Sequence, residues 1–311
     1  MFVRGMVPLL IAAILAGITG CNEGSSDGPS LSEQYQQLRR EPNPDIRANK
    51  LVSLAMEQNK AGDTNGLERS LDKAADACAK IEHRRIQASA YNKLAYAQAT
   101  LGMVGATKDS LKRARGAVKQ IEDRESKIPE LAKMARIHAV YLQNTTIAIA
   151  YMNEAKGLVD GIDDPAGKVT SLTAIAFYYH KMQMADEVTQ VLESAGQIAR
   201  EAEDPRRRAN SVARIAMTLN RIQRVDESVA MFDESLKLAS QIPAEESKAY
   251  ALVDIARQLG DAGRSSSARE ALLLAEELAN GLSDRSQQKP LMDKIRLIHS
   301  RLRSIRVNAS P

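Results

Sequence analysis

The sequence has few of the residues from which an aromatic-rich enzyme core or a disulfide framework is built. It contains no tryptophan, only 4% aromatic residues, and two cysteines, Cys21 and Cys78. So few aromatics argue against a large aromatic-lined catalytic pocket, and abundant alanine indicates a core of closely packed helices. The formal net charge of +4 is too small to predict a nucleic-acid partner.

Motifs for catalysis and metal binding are also missing from the sequence. The chain has no phosphate-binding P-loop, zinc-protease helix or Cys-x-x-Cys pair. Its histidines are widely separated and do not repeat a ligand spacing; they are His83, His138, His180 and His299. Acidic pairs such as Asp163-Asp164 lie between repeats, where carboxylates stabilise helix N-termini. The sequence therefore predicts no enzyme, no cofactor and no bound metal.

Residues 1–20 have the pattern of a bacterial export signal. Arg4 precedes an apolar stretch from Met6 to Ile18, which is too short for a stable transmembrane helix. The signal closes with Ile18-Thr19-Gly20-Cys21, which resembles the lipobox of bacterial lipoproteins. An ordinary secretory leader that happens to end in cysteine would need all four positions to match by coincidence.

The lipobox resemblance implies that Cys21 becomes the lipidated N-terminus of a membrane-anchored lipoprotein of the cell envelope, because several acyl chains make anchoring effectively permanent. Asn22 follows the cysteine, where aspartate would be typical of lipoproteins retained at the inner membrane. In a Gram-negative envelope the resemblance therefore implies that the protein is at the outer membrane, facing the periplasm. Residues 21–31 are predicted to form a flexible tether with a mean reach below about 20 Å. With Cys21 lipidated, Cys78 has no partner and is predicted to be a small buried thiol.

A helix-crossing pattern recurs throughout the rest of the chain, residues 32–311. A small residue repeats with a period of about 40 residues, at Ala55, Ala95, Ala135, Ala176, Ala216 and Ala256. A large aliphatic residue precedes each alanine and another apolar residue lies four positions before it, as in Leu51 and Leu54. This spacing marks one face of a helix. The pattern predicts an all-α solenoid of about six helical hairpins.

Helix start and stop signals give the boundaries of each hairpin. In the fifth repeat, Asp204-Pro205 predicts an N-cap followed by proline in the first turn, with helix A extending to about Arg221. Gly62, Gly102 and Gly263 follow the crossing alanine by seven positions and predict turns. The other three repeats have Leu142, Gln183 and Gln223 there, so their turns must differ or accept strain. Pro290 is predicted to open a C-terminal capping helix, Leu291 to about Arg303, and Leu31 to Arg40 is predicted to be a short helix.

Two repeats resemble the tetratricopeptide (TPR) family. The matching residues are Val212, Ile215-Ala216, Ser228, Phe232 and Ser235 in one repeat, and Leu252, Ile255-Ala256, Ala268, Leu272 and Ala275 in the next. The other copies match less well, the proline typical of helix B is missing, and the period exceeds the usual value of about 34 residues. HEAT-like helix pairs, which share the longer period, stay open as an alternative. The TPR resemblance implies a right-handed solenoid whose A helices line a concave groove.

By position in the TPR pattern, one row of groove side chains follows the crossing alanines: Met56, Tyr96, Arg136, Phe177, Met217 and Arg257. The resemblance places a second set deeper in the groove: Asn59, Lys60, His180, Lys181, Asn220 and Arg221. Amide and basic groups beside apolar anchors suit a protein or peptide partner that carries carboxylates. Three alternatives stay open: simple solvated helix faces, a groove for an envelope polysaccharide or peptidoglycan, and contact through the basic C-terminal helix.

Overall fold

The structure, a computed structural model, describes residues 28–308, and side chains are described as far as Arg303. The predicted signal in residues 1–20 and the predicted lipidation site Cys21 lie outside the described residues. Within this part of the chain the regular structure is entirely helical. The helices are α1 Leu31–Arg39, α2 Pro44–Lys60, α3 Thr64–Ala79, α4 Arg84–Thr100, α5 Val104–Lys119, α6 Arg124–Val140, α7 Thr145–Val159, α8 Pro165–Lys181, α9 Ala185–Glu201, α10 Pro205–Arg221, α11 Val225–Ser240, α12 Glu245–Asp261, α13 Ser265–Gly281 and α14 Arg285–Asn308.

The helices from α2 to α13 pair into six hairpins, which confirms the predicted repeat. Each even-numbered helix is the A helix of a hairpin and packs closely on the odd-numbered B helix that follows it. Each A helix also packs on the next A helix, whereas the B helices pack mainly on A helices. Because the A helices touch one another along the array and the B helices are spread apart, the A helices form the inner, concave layer.

The predicted crossing alanines form the closest contacts of the core. All six, from Ala55 to Ala256, are 0% exposed, as is Ile255 beside the last of them. A small side chain here allows two helix backbones to approach, and the large neighbours fill the space around the crossing. The buried side chains form two clusters that meet at α10, one extending from α1 to α10 and the other from α10 to α14.

Predicted N-caps are confirmed where the hairpins connect. The Asp204 side chain accepts hydrogen bonds from the backbone N–H groups of Arg206 and Arg207 at 2.8 and 3.0 Å. Asp164 caps α8 in the same way, accepting from Gly167 N–H at 3.0 Å. These acidic residues therefore satisfy backbone donors at the start of α8 and α10.

The A-to-B turns use a left-handed residue in every hairpin. Gly62, Gly102 and Gly263 adopt φ values of +75°, +73° and +79°. In the other hairpins the position is filled by glutamine: Gln143, Gln183 and Gln223, with φ values of +50°, +62° and +67°. The expectation for Leu142 was wrong by one residue, because the third turn, 141–144, is one residue longer than the turn 101–103. This insertion explains the longer spacing between Ala135 and Ala176.

A single helix closes each end of the array. Helix α1 begins with a capping box, in which Ser30 and Glu33 bond reciprocally, and its Tyr35 is buried. At the other end Leu291 and Ile295 of α14 are buried, which supports its role as the cap. The predicted start of this helix at Pro290 was wrong: Asp284 accepts a hydrogen bond from Ser286 N–H at 2.8 Å and starts the helix before the proline.

The array has two edges, which lie at opposite ends of its helices. The turn edge is where A helices turn into B helices, at residues 61–63, 101–103, 141–144, 182–184, 222–224 and 262–264. The connection edge is the opposite side, where each B helix connects to the next A helix.

No helix among residues 28–308 combines the length and apolarity needed to cross a membrane. Cys78 is 0% exposed, and burial raises the pKa of its thiol to about 12, so it is the predicted inert core residue.

Candidate ligand-binding groove

Side chains that follow the crossing alanines lie on the concave layer and are partly accessible. Tyr96 is exposed, whereas Arg136 and Phe177 are half-buried between neighbouring A helices. Each is positioned by the buried alanine that precedes it, because that alanine fixes the rotation of its helix against the core. The groove therefore has a floor of defined side chains.

The middle of this floor contains aromatic rings of α4 and α6 in contact with a basic residue. The guanidinium carbon of Arg136 lies 4.9 Å from the centre of the Tyr96 ring. Tyr141, at the end of α6, meets the Tyr96 ring edge-on at 5.5 Å between centroids. A guanidinium over an aromatic face is attracted by the negative face of the ring. These contacts link the second and third hairpins.

A second set of contacts surrounds Phe177 on α8. Arg221 of α10 lies 4.4 Å from the ring centre, and the Lys181 ammonium lies 5.2 Å from it. Tyr178 meets the same ring edge-on at 5.4 Å. Together these two groups form the aromatic–basic cluster, defined as Tyr96, Arg136, Tyr141, Phe177, Tyr178, Lys181 and Arg221.

Electrostatics confirm that the two groups share one environment. A hydrogen bond with Tyr141 lowers the pKa of Tyr96, and the positive charges of Arg136 and Lys181 lower it further. Burial raises the pKa of Tyr178. Within the described residues none of Arg136, Lys181 and Arg221 forms an ion pair with a carboxylate. The cluster is therefore a concentration of positive charge that is held by rings and has no protein counter-ion in contact.

Next to the cluster is a cavity of about 290 Å³ between α4, α6 and α8. The buried Glu130 carboxylate accepts hydrogen bonds from Asn92 at 2.8 Å and from Lys133 at 2.7 Å. Asn92 is 2% exposed and its Oδ1 atom has no hydrogen-bond partner; the Nε–H of Arg136 is also unpaired. Asn92 and Arg136 line the cavity, but these two unpaired atoms are buried in its wall.

Of the groove residues expected from sequence, five meet in the cluster: Tyr96, Arg136, Phe177, Lys181 and Arg221. Asn220 instead donates to the backbone oxygen of Ala262 at 3.3 Å, so it joins the fifth hairpin to the sixth. Arg257 lies 3.6 Å from Asp261, which also binds Arg301 at 2.8 Å. These two side chains are therefore occupied by structural contacts.

The remaining expected residues are not joined to the cluster by any hydrogen bond, ion pair or ring contact among residues 28–303. Asn59 and Lys60 are exposed at the end of α2, and His180 and Met217 are half-buried beside cluster residues in sequence. The basic C-terminal helix is also less free than its composition implied, because Lys294 and Arg296 pair with Asp254 and Asp293 at 3.3 and 2.9 Å. The unpaired cations that contact the groove's aromatic rings thus lie in the middle of the array.

Sequence reasoning missed several residues of this site. Tyr141 lies in the longer third turn, and the repeat pattern gives no position for a residue there. Asn92, Glu130 and Lys133 lie two to five positions before a crossing alanine, whereas the residues expected from the TPR pattern all follow one. The available signal was a glutamate and an amide side chain near the buried crossings of neighbouring A helices. Such polar groups are stable in a core only when they are paired, so the two could have been expected to meet.

No protein-family model matches the chain, and no curated protein sequence matches it. Among solved structures the chain is similar to Ton1535 from Thermococcus onnurineus NA1, at 14% identity and a TM-score of 0.41, over 84% of this chain and 94% of that one. It is also similar to BtubC (BKLC) from P. vanneervenii, at 11% identity and a TM-score of 0.31, over 83% of this chain and 95% of that one. Function must therefore be inferred from the groove itself.

Proposed function

We propose that the protein is a lipid-anchored binding and scaffolding protein of the bacterial cell envelope, whose TPR-like concave groove holds an acidic segment of a protein partner. The anchor is the acylated Cys21, and the outer membrane facing the periplasm is the proposed location. The right-handed superhelix of the TPR family is part of the same proposal. The protein carries out no reaction in this role; it brings a partner to the membrane.

The observation that carries the groove proposal is the set of cations without carboxylate partners. Arg136, Lys181 and Arg221 contact rings and form no ion pair within the described residues. Partial desolvation, and then the like charge of Arg257, lower the pKa of Arg214 on the same layer. A carboxylate-bearing segment would reduce this repulsion and could take charge-assisted hydrogen bonds from guanidinium groups.

A peptide fits this groove better than a polysaccharide. Sugar binding favours flat, accessible ring faces, but the Phe177 ring contacts both Lys181 and Arg221, and Tyr179 is only 3% exposed. Tyr96 is the exposed aromatic of the cluster, and Arg136 contacts its ring. The cations that lie on these rings instead match the carboxylates of an acidic peptide segment.

The test is affinity capture with the full-length protein from detergent-solubilised membranes, followed by identification of what co-purifies. Lys181→Glu combined with Arg221→Glu should weaken capture of the identified partner at least tenfold, about 1.4 kcal/mol. The thermal midpoint should change little, because both side chains are exposed.

Arg303→Glu, an exposed change on the capping helix, is the matched control and should capture normally. Capture that is lost in this control and retained by the groove variant would move the contact surface to the C-terminal helix. A co-purified glycan without a protein would instead favour the polysaccharide alternative.

A further inference from the structure

The two edges of the second and third hairpins differ sharply in charge. The connection edge contains dense charged segments at 82–85, 122–127 and 203–208. At the turn edge, residues 94–107 and 139–153 contain no charged residue at all. The second and third hairpins thus present an uncharged edge to solvent, whereas the opposite edge of the same hairpins is strongly charged.

Exposed aliphatic side chains occupy this uncharged edge. Val104, Val140 and Ile147 are 49%, 44% and 38% exposed, although burying an apolar side chain of this size is favourable. Val104 is the first residue of its B helix and Val140 the last residue of its A helix, so both lie at the turn. Large apolar side chains grouped at one edge mark an interaction surface.

The chain enters the folded part at the same edge. Helix α1 runs antiparallel to α2, because Pro29 lines a cavity with Glu57 near the end of α2, whereas the Glu41 carbonyl accepts a hydrogen bond from Arg47 near its start. Leu31 therefore begins α1 close to the turn edge. The connection edge lies a further helix length away, about 25 Å for an α2 of 17 residues.

We propose that the turn edge of the second and third hairpins lies against the lipid bilayer, with Val104, Val140 and Ile147 in the interface. The proposal rests on the proposed lipidation of Cys21, which places the anchor only a few residues before α1. The attachment point and the absence of charge select the same edge, and the exposed Val104, Val140 and Ile147 lie on it. A charged edge would have to give up its hydration to lie there. In this orientation the aromatic–basic cluster, which lies in the last turns of its A helices, faces a partner close to the membrane surface.

The missing tryptophan makes the orientation directly measurable. The full chain carrying Ile147→Trp or Val104→Trp is purified from membranes in detergent and reconstituted into vesicles of phosphatidylethanolamine and phosphatidylglycerol. Because an interfacial surface enters the headgroup and acyl boundary by about 5–10 Å, bromine on the acyl chains should reduce the fluorescence about twofold. Ile86→Trp is the matched control, since Ile86 is 37% exposed but lies in the first turn of α4 at the connection edge. Its fluorescence should stay unchanged.

Each alternative gives a different result. Vesicle-bound protein whose three tryptophans are quenched equally, or not at all, overturns the orientation and leaves the anchor intact. Protein that fails to float with the vesicles overturns both the anchor and the orientation. A stable dimer that Val104→Asp disrupts, without quenching at position 147, would assign the edge to a second copy of this chain.

Discussion

Replacing turn glutamines with glycine tests the idea that backbone strain distinguishes the two kinds of hairpin turn. Gln183 and Gln223 are exposed residues at φ values of +62° and +67°. A non-glycine residue in the left-handed region costs about 1–2 kcal/mol. Glycine avoids this cost, but it destabilises the folded state by about 0.5–1 kcal/mol because it has more conformational freedom to lose from the unfolded chain. We therefore expect Gln183→Gly to raise the free energy of unfolding by about 0.5–1 kcal/mol.

The two sites lie in different hairpins, so their effects should add. The double variant Gln183→Gly with Gln223→Gly should gain about 1–2 kcal/mol, measured by urea and thermal unfolding with far-ultraviolet circular dichroism. Gly102→Ala is the reverse control: a Cβ atom there meets nothing within 4 Å, so only the backbone conformation at φ +73° is penalised. This control should lose about 1 kcal/mol. If the glycine variants were less stable than the natural chain, or Gly102→Ala were neutral, strain could not explain the turns.

Two further predictions concern the core. Ala256→Leu should overpack a helix crossing that is fully buried and cost about 1–3 kcal/mol, which chemical denaturation would measure; a neutral result would contradict the close approach of the helices. Cys78 should react with a maleimide only after unfolding, because its thiol is buried and burial raises its pKa to about 12; labelling of the native protein at neutral pH would contradict this burial.

The repeat made most of the fold predictable from sequence. Each hairpin needs a small residue at its helix crossing, and the spacing of the six alanines, together with Asp204-Pro205, gave helix boundaries that the structure confirms. The predicted helix start at Pro290 was wrong, although proline is common in the first turn of a helix. Here the carboxylate of Asp284 caps the backbone before the proline, so the helix begins earlier. Local signals compete at such positions, and only the three-dimensional contacts decide between them.

The groove was less predictable because its contacts join different hairpins. The repeat pattern places Arg136 and Arg221 on the concave layer, but it does not tell which ring or carboxylate each side chain will meet. Asn220 and Arg257 were both expected in the groove, yet the first bonds to the Ala262 carbonyl and the second lies beside Asp261. Neighbouring repeats of different sequence decide these pairings, so repeat position alone cannot.

The nearest-neighbour packing of the hairpins has a mechanical consequence. Contacts run mainly between adjacent hairpins, so the array can bend by small changes at each interface. The aromatic–basic cluster extends from Tyr96 on α4 to Arg221 on α10, across three of these interfaces. A ligand bound along it would act as a cross-brace between hairpins that do not pack on each other. Binding would thus make the middle of the array more rigid than its ends, and the bound partner would fix the curvature of the groove that holds it.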